Sequence, residues 1–412
     1  MAENRLASVE EMTTESSTPA AQKGEIALGV SAATKEAGPA PRRTFTFWKG
    51  RVALYAILKA LDVRPGDRVI LPGYTCFAVP SAVVFAGAQP VYADIDRETY
   101  HPSAASMIAA CRNGGRPPRA ILIQHTFGIP ADTVPIVAWA REQGIAVIED
   151  CAHVLGSRYR DSLGAWREVG TLGDAAFYSS QWNKPVSTGI GGWASTSDPE
   201  LATAMQRFHA ANCVPPSLRE TCLLAAQVAV RGIASSPWVY WSILAMYRGL
   251  YMRGVLVGSS SGEELQGVMP ADYAKRMSGL QEFLLNRRMR DRSNVTRRRQ
   301  LKAVYDECLK SAGMAVLKVP EYADAVPLRY PVRVSDKKRA LAEARRRRIE
   351  LGDWYPHPID LPNGVNGAAF GYQEGMCPEG ERAAREVINL PMHGGISERE
   401  AQRIVDFLKQ VA

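Results

Sequence analysis

Two stretches decide the fold: Ala146-Val147-Ile148-Glu149-Asp150, and the run Ala175-Ala176-Phe177-Tyr178-Ser179 that leads through Lys184 to Gly191-Gly192-Trp193. Each begins as a short apolar segment bounded by turn residues, the pattern of a strand buried on both faces. The spacing predicts strands over 146–150, 175–178 and 193–196. Working outward, it predicts helices over 51–61, 80–86 and 132–143, and strands over 68–72, 90–94 and 120–124. Strand and helix alternating at this interval imply a largely parallel sheet covered on both faces. In such sheets ligands bind beyond the carboxyl ends of the strands. Those ends carry Pro72-Gly73-Tyr74, His125-Thr126-Phe127-Gly128 and Asp150-Cys151-Ala152-His153.

The composition agrees with a folded enzyme-sized protein. With 46% hydrophobic and 22% charged residues over 412 positions, a fibrous or wholly disordered chain is excluded. The net charge of +8 favours solubility and does not by itself indicate nucleic-acid binding. Its arginine runs, 287–288, 297–299 and 345–348, fall on helical patterns and read as solvated faces, without the interleaved aromatics of a single-strand binder. Seven cysteines without a CxxC pair suggest reduced thiols in the cytoplasm, with no zinc site. Residues 1–40, rich in Ala, Glu, Ser and Thr, read as a disordered leader. A large domain is expected over 41–270 and a smaller C-terminal α+β domain over 271–412, with a strand over 328–334 and a terminal helix over 397–411.

One segment departs from the alternation. Residues 221–262 contain no acidic residue and centre on Trp238-Val239-Tyr240-Trp241. Ser235-Ser236-Pro237 and Arg248 interrupt it before it reaches the ~20 apolar residues of a spanning helix. It reads as helices buried against the body or a second subunit; the alternative is a peripheral contact with a membrane surface.

Chemistry concentrates at Lys184. A lysine between an apolar strand and a multi-glycine turn is poorly placed for solvation, and burial lowers the pKa of its amine until it can form a covalent link to a carbonyl. The acidic strand end at Asp150 offers the carboxylate that keeps the pyridine nitrogen of pyridoxal phosphate protonated, so that the ring acts as an electron sink.

The ordered motifs resemble the DegT/StrS family of pyridoxal-phosphate sugar aminotransferases, members of the fold-type-I, aspartate aminotransferase-like superfamily. They are Gly50-Arg51-Val52-Ala53-Leu54, Pro72-Gly73-Tyr74-Thr75-Cys76, Gly87-Ala88-Gln89-Pro90-Val91, Glu149-Asp150-Cys151-Ala152-His153, Gly173-Asp174, Asn183-Lys184, Arg276-Met277-Ser278-Gly279-Leu280-Gln281 and Trp354-Tyr355-Pro356. The resemblance implies a large domain with a mainly parallel seven-stranded sheet and a smaller α+β domain.

It also implies that Lys184 and Asp150 are catalytic. Lys184 would bind the cofactor covalently and shuttle a proton; Asp150 would pair with the ring nitrogen. His153 would stand beside the phenolic oxygen, and Ser179 would donate to the phosphate together with the amides at Gly50-Arg51. The family's ring-stacking aromatic aligns with Cys76, so the ring is held either by that smaller side chain or by the adjacent Phe77. Lys275 stands near the position from which the family reaches the phosphate of a neighbouring subunit. The resemblance further implies a homodimer, an amino-acid donor, commonly glutamate, and a keto group on a nucleotide-linked sugar as acceptor. Two alternatives stay open: a membrane-associated aminotransferase acting on a lipid-linked or non-sugar acceptor, and a non-catalytic cofactor-binding regulatory protein.

Overall fold

The computed structural model describes residues 41–113, 116–233, 260–362 and 365–411. Much of 221–262, the aromatic centre included, lies outside the described residues, as does the 1–40 leader.

The first part of the chain alternates strand and helix. In order these are β1 (Arg43–Phe47), α1 (Gly50–Ala60), β2 (Arg68–Pro72), α2 (Ala78–Phe85), β3 (Gln89–Ala93), α3 (Ala104–Arg112), β4 (Ala120–Gln124), α4 (Thr133–Glu142) and β5 (Ala146–Asp150). After the hairpin strands β6 (Arg158–Arg160) and β7 (Trp166–Glu168) come β8 (Ala175–Ser179), β9 (Gly192–Thr196), α5 (Pro199–Asn212) and α6 (Leu218–Ile233). Seven strands form one sheet in the order β1-β9-β8-β5-β4-β2-β3, in which β9 alone runs against the rest.

The two-residue period of a strand explains the layers. Val69 and Leu71 of β2, Leu122 of β4 and Ile148 of β5 pack with α1, α2 and α5 on one face. Ile70, Ile121, Ile123 and Val147 pack with α3 and α4 on the other. Both faces are therefore apolar, and this is why β2 and β4 read as continuous hydrophobic runs. The doubly covered, mainly parallel sheet agrees with the expected fold class. The edge strand β1, to which the sequence reading assigned no strand, buries Phe45 and Phe47 while Thr44 and Thr46 alternate with them.

The later elements are α7 (Gly262–Leu265), α8 (Gly279–Met289), α9 (Ser293–Ser311), β10 (Ala323–Asp324), β11 (Tyr330–Arg333), α10 (Lys337–Arg346), α11 (Pro378–Glu386), β12 (Val387–Leu390) and α12 (Glu398–Val411). Strands β11 and β12 pair antiparallel, and β10 joins the β6–β7 hairpin. Their core draws in Tyr74, Phe127 and Ile129, residues of the turns beyond β2 and β4. The C-terminal elements thus dock on the carboxyl end of the large sheet and close a cleft there. One expectation is corrected: Arg298, in a run read as a solvated face, is buried. Its guanidinium donates to the carbonyls of Pro327 and Leu328 at 3.2 and 3.1 Å and to Asn294 at 3.0 Å, and burial lowers its pKa to about 10. A helix that crosses between two layers has no solvent on that side, so its cation is satisfied by backbone oxygen instead.

Candidate active site

Strands β5 and β8 are neighbours, with Asp150 level with Phe177. Asp150 ends β5 and Ser179 ends β8, so parallel pairing brings both to the same edge. Lys184 follows in a turn closed by Lys184 N–H to Gln181 O (2.9 Å), Ser180 N–H to Gly191 O (2.9 Å) and Thr188 N–H to Ser180 O (2.8 Å). The Ser180 and Thr188 hydroxyls hydrogen-bond at 2.7 Å inside it.

Glycine is required at two points of this turn. A Cβ on Gly191 would lie 2.4 Å from Ser180 Oγ, and one on Gly192 would lie 2.3 Å from the Cα of Gly50. The bare backbone of Gly192 lets β9 press against the start of α1, which carries Gly50 and Arg51 beside Ser179.

One cavity is lined by Lys49, Gly50, Arg51, Cys76, Asp150, Ala152, His153, Ser179, Gln181, Lys184 and Tyr355, among others. Of the residues expected from sequence, Lys184, Asp150, His153, Ser179, Gly50, Arg51 and Cys76 converge there. Phe77 is not among the lining residues; its ring packs edge-on to Phe370 (6.2 Å) and beneath the Arg51 guanidinium (4.9 Å). Lys275 is also absent from the lining: its ammonium pairs with Glu220 at 2.6 Å and with Asp272.

The electrostatics follow from burial. Burial raises the Asp150 carboxyl to about 6, against the opposing pull of its hydrogen bond from Ala152 N–H (2.9 Å) and of Lys184. Burial holds the Lys184 ammonium below its ordinary range, while Cys76 and Asp150 act the other way. The Lys184 Nζ lies 4.9 Å from the centre of the Trp354 ring. The Cys76 thiol is pushed up to about 11 by burial, so it is protonated and unreactive at neutral pH.

His153 is buried and held well below its usual range by desolvation, with Lys184 and Arg329 adding to the effect; the imidazole is therefore neutral. Its Nδ1 accepts from Phe127 N–H at 3.1 Å. The proton must then sit on Nε2, which faces the Tyr355 hydroxyl at 3.2 Å. Behind Asp150, Glu149 points to the other side of the strand. It accepts from the amides of Gly170 (2.8 Å), Leu172 (2.9 Å) and Gly173 (2.7 Å) and from His125 Nε2 (3.2 Å). Burial alone would raise its pKa, but His125 and these amides outweigh burial and keep it lowered. The carboxylate thereby fixes the loop that leads into β8.

Sequence reasoning gave no role to Lys49, Gln181 or Tyr355. Tyr355 lay inside a quoted motif, but only the fold brings it across from the C-terminal part, where Lys337 Nζ grips its carbonyl (3.2 Å) and that of Ala384 (2.8 Å).

The donor set suits a phosphorylated pyridine aldehyde. It combines an amine with a lowered pKa, a buried carboxyl, a hydroxyl, and the start of helix α1, which no side chain caps. Helix N-termini with open amides favour anions.

Comparison with known proteins points the same way. The chain is 29% identical over 362 residues to the pleiotropic regulatory protein of Geobacillus stearothermophilus, covering 87% of this chain and 82% of that one. It is 28% identical over 345 residues to the UDP-2-acetamido-2-deoxy-3-oxo-D-glucuronate aminotransferase of Pseudomonas aeruginosa, covering 84% and 79%. The fold is similar to that of the aminotransferase TlmJ from Streptoalloteichus hindustanus, with a TM-score of 0.66 at 22% identity over 89% and 85% of the two chains. The family model for DegT/DnrJ/EryC1/StrS aminotransferases matches residues 42–225 and 251–409, and the chain belongs to that family.

Proposed function

We propose that the protein is a pyridoxal-phosphate aminotransferase that moves an amino group from an amino acid, glutamate foremost, to the keto group of a nucleotide-linked sugar. The observation that carries this reading is the convergence of Lys184, Asp150, His153 and Ser179 with the uncapped start of α1 on one cavity. The similarity to an aminotransferase named for a UDP-linked 3-oxo sugar supports the acceptor class.

When bound, the cofactor supplies an electron sink for the charge left as a proton leaves the substrate α-carbon. Everything else is done by the chain. Lys184 would hold the cofactor through its aldehyde group. Its Nζ, once free, would take the substrate α-proton and deliver it to the carbon that had carried the aldehyde, a task for which burial prepares it by favouring the neutral amine. Asp150 holds a proton at the pyridine nitrogen, where its own raised pKa is relieved by the positive partner. His153 directs its Nε2–H toward the cavity side that Tyr355 also lines. Ser179 and the α1 amides hold the phosphate.

Lys49 to Lys184 lie in the part of the chain read as the large domain, 41–270, and Tyr355 belongs to the small one, 271–412, so the cavity spans both. Two copies of the chain are expected to form a homodimer, which sedimentation would report as twice the chain mass.

The decisive experiment is borohydride reduction of the cofactor-loaded protein followed by peptide mapping. Label is expected on Lys184, with none in Lys184→Ala. In parallel, glutamate should bleach the visible band of the wild type. Label on another lysine, or no label, refutes the assignment. Label on Lys184 without a response to any amino donor would instead favour a binding protein over an enzyme.

A further inference from the structure

We propose that the side chains of Lys49 and Arg51, drawn together by the buried Glu264, bind the cofactor's phosphate, so that charge as well as backbone amides holds the dianion. The inference rests on the reading of the site given above.

Lys49 immediately precedes α1, Arg51 is its second residue, and both line the cavity with Ser179. Opposite them stands α7, a single turn closed by a capping box between Ser261 and Glu264. Glu264 is fully buried, yet its carboxylate is not spent on the cap alone. Both of its oxygens lie 3.3 Å from Lys49 Nζ, and one lies 3.4 Å from Arg51 Nη1. Arg51 also donates to Ser260 Oγ at 3.1 Å and covers the Phe77 ring at 4.9 Å, so its guanidinium is held in place.

Lys49 and Arg51 thus both pair with Glu264, and the first turn of α1, which contains no acidic residue, adds roughly half a positive charge. Val79, Phe177 and Ile190 line the same cavity. A phosphate dianion at α1 would be attracted by both cations and by the helix start, whereas an uncharged ligand would gain nothing from them. The charges that face Lys49 are Arg51, Glu264 and Lys275; burial and Arg51 lower its pKa while Glu264 opposes them. In this arrangement Glu264 anchors the two cations at the cavity wall.

The contact matters most when the cofactor is in its amine form, because Lys184 then no longer tethers it and only non-covalent contacts retain it. Titration calorimetry on the cofactor-free, full-length protein tests this with three probes: pyridoxamine phosphate, pyridoxamine and inorganic phosphate. Lys49→Met is expected to weaken pyridoxamine phosphate by about tenfold to a hundredfold, the range for a lost charge-assisted hydrogen bond. It should weaken inorganic phosphate in the same direction and leave pyridoxamine unchanged, and Lys49→Arg should restore binding. Added salt should weaken pyridoxamine phosphate more steeply in the wild type than in Lys49→Met.

Wild-type affinity of Lys49→Met for both phosphorylated probes overturns the inference, as does an equal loss for pyridoxamine, which marks a structural role. If the wild type binds pyridoxamine phosphate and is labelled at Lys184 while Lys49→Met binds as tightly, this inference alone fails. If the wild type binds neither phosphorylated probe, the reading of the site fails with it.

Discussion

Replacing Asp150 by asparagine should stabilise the cofactor-free protein while crippling the loaded one. Burial raises the carboxyl from 3.8 to about 6. At about 1.4 kcal/mol per unit, the ionised form costs the empty fold about 3 kcal/mol. The sign follows from proton counting. Below pH 4 the carboxyl is protonated in both folded and unfolded chains, and asparagine is equivalent to it. Between pH 4 and 6 the unfolded chain has lost its proton and the folded one has not, so wild-type stability falls as pH rises. Above pH 6 the full difference stands. The amide oxygen of asparagine can keep the 2.9 Å hydrogen bond from Ala152 N–H, so geometry is preserved. Urea unfolding of the cofactor-free proteins across pH 4–8 should show Asp150→Asn gaining on the wild type, to a plateau of about 3 kcal/mol. Loaded with pyridoxal phosphate, the variant should lose the ring-nitrogen partner and slow the first half-reaction by about a hundredfold or more. A stability difference that does not depend on pH, or an asparagine variant less stable than wild type at pH 8, would refute the argument that desolvation sets the state of Asp150.

Glu149, the adjacent carboxylate, should behave in the opposite sense. Its pKa is lowered in the fold, so its contribution is present above about 4.5 and fades as pH falls. Glu149→Gln, which turns an acceptor of four donors into a half-donor, should cost about 2–3 kcal/mol at pH 7 in denaturant melts; a neutral effect would contradict the hydrogen-bond geometry. Gly192→Ala places a methyl 2.3 Å from the Cα of Gly50, where only backbone can yield. A loss of about 3 kcal/mol is expected, together with weaker pyridoxal phosphate binding measured by dialysis, because β9 is pushed off α1; unchanged binding would separate that contact from the phosphate cradle.

How much of this was legible in the chain follows from the range of each interaction. The strands over 68–72, 120–124 and 146–150 were read with the bounds the structure has, because residues buried on both faces leave an unbroken apolar run. Lys184 and Asp150 stand out in the sequence because a charged group next to such a run has few explanations, and both line the cavity. The edge strand β1 and the buried Arg298 were not legible: the first is a five-residue strand defined by pairing with β9, and the second is an ordinary helix arginine until Pro327 and Leu328 pack over it.

The same division holds at the cavity. Local sequence determined the parallel sheet, the turn that carries Lys184 and the acidic end of β5, since each depends on periodicity and turn chemistry within a few residues. Tertiary structure alone decided that Cys76 and not Phe77 lines the cavity, that Lys275 is engaged by Glu220 and Asp272, that Tyr355 meets His153 across 202 residues of chain, and that Glu264 meets Lys49 across 215. Those placements depend on which surfaces exclude water from one another, and neither spacing nor propensity along the chain encodes that directly.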